Sequence, residues 1–183
     1  MSGLLCVTGT RSAPGASTLA VALAYTAPCD DRVVLVDADP DGGTVASVFG
    51  LAASPGLVSL AASSRHGLDT VDLAASLQVA SPRFDVLAAP SSPDQVTSAL
   101  RRLDGAWREL LGSTTAVADV GRWRPDSPAM GLVDAATAVV LLVDPTLAGV
   151  AHARAALEDL SLRWAHVVGA ARGVPPDPPE EGA

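Results

Sequence analysis

Three separated groups of residues in this chain carry types and spacings suited to phosphate and metal chemistry. The first is RSAPGAST at 11–18, directly after the apolar run LLCVTG at 4–9. A loop of small residues that leads from a strand into a helix offers backbone N–H groups, backed by the helix dipole, to a bound anion. Ser17 would add a hydroxyl of the kind that ligates Mg2+ in such loops. The second group is VDADPDGG at 36–43, where Asp37 and Asp39 stand two positions apart after an apolar run. The third is VADVG at 117–121, an apolar run ending on Asp119. Carboxylate and hydroxyl oxygens are the hard donors that Mg2+ takes. One charge is missing. A lysine directly after the loop glycine normally reaches the β- and γ-phosphates, but here Ala16 follows Gly15, and all twelve Lys+Arg residues are arginine.

These groups need a scaffold that brings them together, and the hydropathy pattern supplies one. Apolar runs at 4–9, 32–39, 84–90, 114–121, 137–145 and 163–169 read as strands. Near-continuous apolar strands fit a parallel sheet covered on both faces. Between them, 18–25, 42–51, 92–112, 127–136 and 146–162 read as helices or turns with short helices, and 52–81 is Ser/Ala-rich with a short helix within DTVDLAASLQV at 69–79. Alternation of this kind predicts a three-layer α/β fold with a mostly parallel central sheet flanked by helices. Right-handed crossovers would then place Asp37, Asp39, Pro90, Asp119 and Asp144 along one rim, where open α/β sheets bind ligands. The pattern predicts a single domain over 1–172 and a disordered, Pro-rich, acidic tail over 173–183.

Composition sets the limits. The chain has 183 residues, is 49% hydrophobic and 17% charged, and has a net charge of −8, which fits one domain with an ample core. Aromatics make up only 3%, so Ala, Val and Leu must build that core. The acidic balance, with basic runs only at Arg101-Arg102 and Arg122-Trp123-Arg124, argues against direct nucleic-acid binding. No apolar run is long enough to span a bilayer, and the N-terminus has no basic segment leading into a long apolar stretch. The expectation is a cytoplasmic chain with no membrane insertion. Cys6 and Cys29 lie in no metal spacing and read as free thiols. His66, His152 and His166 have no ligand spacing, and they read, like Trp107 and Trp164, as structural; Trp123 reads as packing or as part of a partner-facing loop. Missing lysine beside abundant Ala, Arg, Gly and Pro matches the coding bias of a high-GC bacterial genome. That bias accounts for Lys→Arg exchange but not for alanine at position 16.

In their order and spacing, the three groups resemble those of the ParA/MinD family of deviant-Walker P-loop ATPases, over roughly residues 3–169. DVLAAPSSPDQV and AATAVVLLVDPTLAGVAHARAAL also look like the family, particularly its pilus- and secretion-associated branch. The resemblance implies ATP and Mg2+ as cofactors. Thr10, Arg11, Ser12, Ala13, Pro14, Gly15, Ala16, Ser17 and Thr18 would form the phosphate-binding loop. Arg11 falls on the family's signature lysine, which in dimers reaches the partner's nucleotide, and Ala16 falls on the phosphate-binding lysine. Asp39 falls on the residue that polarises the attacking water, so Asp39 and Arg11 are the implied catalytic pair. Ser17, Asp37 and Asp119 are the implied metal site. Protein partners and a homodimer are implied in the same way, with roles in bacterial positioning, partitioning, pilus or secretion machinery.

The departures shape the functional expectation. The literal loop pattern fails at Thr10, where the first glycine belongs, and at Ala16; Ser12 and Ala13 replace two further glycines. No asparagine for reading adenine follows the last strand, the chain is shorter than typical members, and it lacks a basic amphipathic C-terminal helix. A charge-assisted lysine–phosphate contact is worth about 1.5–3 kcal/mol in binding, and more at the transition state, where charge moves toward the β/γ bridge. Its loss predicts weak or absent hydrolysis with binding less affected. The leading expectation is a degenerate regulatory or scaffolding protein that binds ATP-Mg. Two alternatives stand beside it: a slow ATPase using Arg11 in place of lysine, and a nucleotide-free protein-interaction module.

Overall fold

In the computed structural model, the described residues are 2–10, 14–28, 31–161 and 166–171, with the side chains of His66, Thr70 and Ser161 outside the description. Apolar runs flanked by turn residues form seven strands: β1 (Gly3–Gly9), β2 (Val33–Asp37), β3 (Gln78–Val79), β4 (Phe84–Leu87), β5 (Thr115–Arg122), β6 (Ala138–Val143) and β7 (Val167–Ala171). They make one sheet in the order β3-β4-β2-β5-β1-β6-β7. All pairings are parallel except β3 with β4.

The helices are α1 (Ala16–Thr26), α2 (Val45–Phe49), α3 (Leu57–Ser63), α4 (Pro93–Arg102), α5 (Trp107–Leu111), α6 (Met130–Ala135) and α7 (Leu147–Ser161). Strand residues alternate between the two faces of the sheet, so one strand serves two cores. Val34 and Val36 of β2 join Leu60, Leu100, Trp107, Leu132 and Leu160 on one side, which α3 to α7 cover. Val33 and Leu35 join Ala20, Ala24, Val45 and Phe84 on the other, with α1 and α2. Alanines at the α1 contact let that helix lie close to the strands, which sets how near its N-terminus comes to the rim.

The fold is the expected three-layer α/β arrangement, with local corrections. The helix expected over 92–112 is two. Pro93 at the first helical position, Asp94 in the first turn and Arg101-Arg102 in the last suit a short helix and its dipole. Gly105 at φ +79° then breaks the chain before α5 resumes at Trp107. The Ser/Ala-rich stretch contains α3 and the antiparallel edge strand β3 as well as short 3-10 turns. The last strand begins at Val167 rather than at 163. Cys6 is buried and free, and burial pushes its thiol up. His152 and His166 are exposed rather than packed. Trp107 is fully buried, and Trp123 packs at the core edge. Cys29, Trp164 and the tail at 173–183 lie outside the described residues.

Candidate functional site

The site begins with the exit from β1. Thr10 N–H donates to the Leu142 carbonyl at 3.0 Å, which ties the end of β1 to β6. Gly15 caps α1 with φ +108°, a left-handed conformation that favours glycine. The first turn of α1 holds no acidic residue, and its cap makes no side-chain hydrogen bond. Its first N–H groups therefore have no partner within the helix and point toward the rim.

Parallel pairing of β2 with β5 brings the second and third groups to the same rim. Asp37 and Asp119 occupy matching register positions and are both completely buried. Asp37 Oδ2 accepts the Val45 N–H at 3.0 Å, and Asp119 Oδ1 accepts the Gly121 N–H at 3.1 Å. Each carboxyl keeps one buried oxygen, Oδ1 of Asp37 and Oδ2 of Asp119, without a hydrogen-bond partner. Burial is the largest influence on both groups. It pushes Asp37 up to about 7, against the Val45 N–H, with the charges of Asp119 and Asp39 adding to the rise. Asp119 is also raised, and the Ser17 hydroxyl and Gly121 N–H hold it down in part.

Asp39 is half-buried and lies nearer the surface. Its Oδ1 accepts the Asp41 N–H at 2.9 Å, which fixes the carboxyl at the turn after β2. Burial raises its pKa; Arg124 and Arg122 oppose the rise. The residues enclose a cleft of about 330 Å³ lined by Thr10, Pro14, Gly15, Ala16, Ser17, Asp39 and Arg122, among others. Thr18 is exposed on the next position of α1. Of the sequence-predicted site residues, Thr10, Pro14 to Thr18, Asp37, Asp39 and Asp119 are thus gathered at one end of the sheet. Arg11, Ser12 and Ala13 lie outside the described residues.

The donor set fits a hydrated magnesium ion brought in with phosphate. Among the described residues, no three His, Cys, Asp or Glu side chains converge closely enough to hold a metal alone. Mg2+ needs no such cage, because it keeps several waters and takes one or two carboxylates plus phosphate oxygens. Two buried oxygens without partners, beside a serine hydroxyl, are what such an ion would satisfy.

Sequence reasoning missed four cleft residues, Gly9, Asp41, Gly121 and Arg122, as members of the site. Asp41 was legible in VDADPDGG, and Arg122 in the basic run after VADVG. What was not legible is a register slip between β1 and β5. Val7 pairs with Asp119 but Gly9 pairs with Arg122, so β5 carries one extra residue there.

No protein-family model matches the chain, and no curated protein is detectably similar in sequence. Solved structures are similar in fold. A ParA family ATPase from Chlorobium tepidum TLS superposes with a TM-score of 0.73 at 16% identity, covering 93% of this chain and 74% of its own. The kinase domain of the Escherichia coli tyrosine kinase ETK gives 0.76 at 19% identity, covering 100% and 71%. The cell division ATPase MinD of Pyrococcus furiosus gives 0.72 at 16% identity, covering 91% and 70%. The chain therefore has the P-loop fold of the ParA/MinD ATPases, a fold it shares with a tyrosine kinase domain. Among the described residues, no helix is long and apolar enough to cross a membrane.

Proposed function

We propose that this domain binds ATP with Mg2+ in the cleft at the head of α1 and turns it over poorly, serving as a nucleotide-responsive regulatory or scaffolding partner of other proteins. One observation carries the reading. Asp37 and Asp119 stand side by side, each with one unpartnered buried carboxylate oxygen, and the Ser17 hydroxyl meets Asp119, while Ala16 lines the cleft at the position where the resemblance puts a lysine.

Each residue then has a role that its surroundings support. The backbone N–H groups of the first turn of α1 cradle phosphate, with Gly15 supplying the conformation that turns them outward. Ser17, Asp37 and Asp119 would hold the ion together with water and phosphate oxygens. The magnesium ion, when bound, neutralises phosphate charge. Asp39, which lines the cleft and accepts the Asp41 N–H, would orient a water. Without a lysine at position 16, the charge that builds at the β/γ bridge lacks its usual partner, and that loss falls more on turnover than on binding. The ATPases that share the fold make ATP the first nucleotide to test. A homodimer and a protein partner belong to the same proposal, on the resemblance of the motifs to the ParA/MinD family.

Calorimetric titration with ATP, ADP and GTP in the presence of Mg2+ tests the proposal. Binding of ATP-Mg that is lost in Asp119→Asn and Ser17→Ala supports it. Failure of all three nucleotides to bind removes the cofactor and leaves a protein-interaction module. Fast turnover that depends on Arg11 and Asp39 would replace the scaffold with an enzyme.

A further inference from the structure

We infer that Arg122 supplies, within the same chain, the phosphate-facing positive charge that Ala16 no longer provides; this rests on the nucleotide reading above. Charge balance calls for such a group. The cleft is lined by two carboxylates, Asp39 and Asp41, and by one cation among the described residues, Arg122. Asp37 and Asp119 lie beneath them. A polyphosphate entering so acidic a site gains two charges from Mg2+ and needs more. Arg122 is the cation already on the wall.

Placement points the same way. The extra residue in β5 falls between Asp119 and Arg122, opposite Val7 to Gly9. Gly121, at φ +66°, takes the left-handed turn that this requires. The backbone is then pinned on both sides of Arg122. The Thr8 hydroxyl donates to the Gly121 carbonyl at 2.9 Å, and the Trp123 N–H donates to the Gly9 carbonyl at 2.9 Å. Arg122 therefore stands at the root of the phosphate loop on a backbone that cannot drift from it. In regular register, Gly121 would oppose Gly9 instead, with no charge to offer.

The neighbouring arginine offers a contrast. Arg124 is committed to Asp41, at 3.2 Å. Arg122 makes no ion pair or hydrogen bond to a described residue, and its charge acts on Asp39 through space. Arg122 is exposed. A planar guanidinium can grip phosphate oxygens in a two-pronged contact that an ammonium cannot.

The test is calorimetric titration of ATP-Mg into the full chain and its variants at low and high salt. Arg122→Ala is expected to weaken binding by about 10- to 100-fold, the range of a charge-assisted contact, and Arg122→Lys to recover part of it. Arg124→Ala is expected to stay within about twofold. Affinity of the parent chain should fall more steeply with salt than that of Arg122→Ala, because screening acts on the charge removed. If the parent chain binds and Arg122→Ala binds equally well, this inference is overturned while the nucleotide reading stands. It is overturned in the same way if Arg11→Ala, and not Arg122→Ala, carries the loss. If the parent chain binds no nucleotide, both fall.

Discussion

Asp37 and Asp119 stand side by side on adjacent parallel strands, in register and fully buried, each with one oxygen bonded to a backbone N–H and one left bare. Folding alone does not favour this arrangement. Two carboxylates in a dry environment raise each other's pKa, and each bare oxygen has lost its water without a replacement. A fold that keeps such a pair is storing instability that a cation can relieve. The pair therefore links stability to pH and to divalent ions.

The pH dependence has a definite sign. The Asp37 carboxyl ionises near its ordinary value in the unfolded chain and at about 7 in the folded one. Between those values the folded state holds a proton that the unfolded state has released. Stability should then fall as pH rises through that window, by about 1.4 kcal/mol per unit for one such group. Denaturant unfolding at pH 5, 6, 7 and 8 without divalent ions would measure it. Asp37→Asn should flatten the profile and be the more stable chain at pH 8. A difference between the two chains that does not grow with pH would refute the linkage.

Added Mg2+ should act in the opposite direction at high pH, because it favours the ionised carboxylates. At pH 8, ATP-Mg should raise the melting temperature of the parent chain more than ATP with a chelator does, and Asp119→Asn should lose most of that increment. Equal shifts with and without the ion would show that the carboxylate pair takes no part in binding.

Gly121 ties the bulge in β5 to Asp39. Its φ of +66° is unfavourable for any side chain, and a Cβ there would collide with the Asp39 carboxyl. Gly121→Ala should cost about 1–3 kcal/mol, from backbone strain and from the displaced acid. Gly105 has the same sign of φ with open space around it, so Gly105→Ala should cost only about 1 kcal/mol. Urea unfolding of both variants checks the ranking. Nucleotide affinity should change in the first and not in the second.

Much of this arrangement was legible from the chain. Continuous apolar runs ending in Asp37 and Asp119 are what a parallel sheet with ligand chemistry at its rim requires, and both acids are found there. The helix α3 was missed because Ser and Ala dominate its sequence. Its apolar residues at 57, 60 and 61 do keep helical spacing, and Ser59 accepts the Gly56 N–H at 2.7 Å to start the first turn. The single helix expected over 92–112 failed at Gly105, because a periodic apolar face continues across a break that only backbone conformation reveals. Arg122 was visible as a basic residue but not as part of the cleft. Its place depends on a one-residue slip between strands distant in sequence, which no local pattern encodes.

Ala16 offers the sharpest test of what the chain has lost and what replaced it. It is the first residue of α1, half-buried on the cleft wall, directly after the Gly15 cap. Ala16→Lys should place an ammonium at the phosphates and tighten ATP-Mg binding by about 10- to 100-fold, with a larger gain in turnover. The size of the gain depends on Arg122. If that guanidinium already meets the phosphates, the two cations compete for the same charge, and the lysine should help the parent chain less than it helps Arg122→Ala. A double-mutant cycle measures this directly, since contacts to one ligand charge are non-additive. Equal gains in both backgrounds would show that Arg122 acts elsewhere. No gain in either would show that the pocket at the head of α1 does not receive a phosphate.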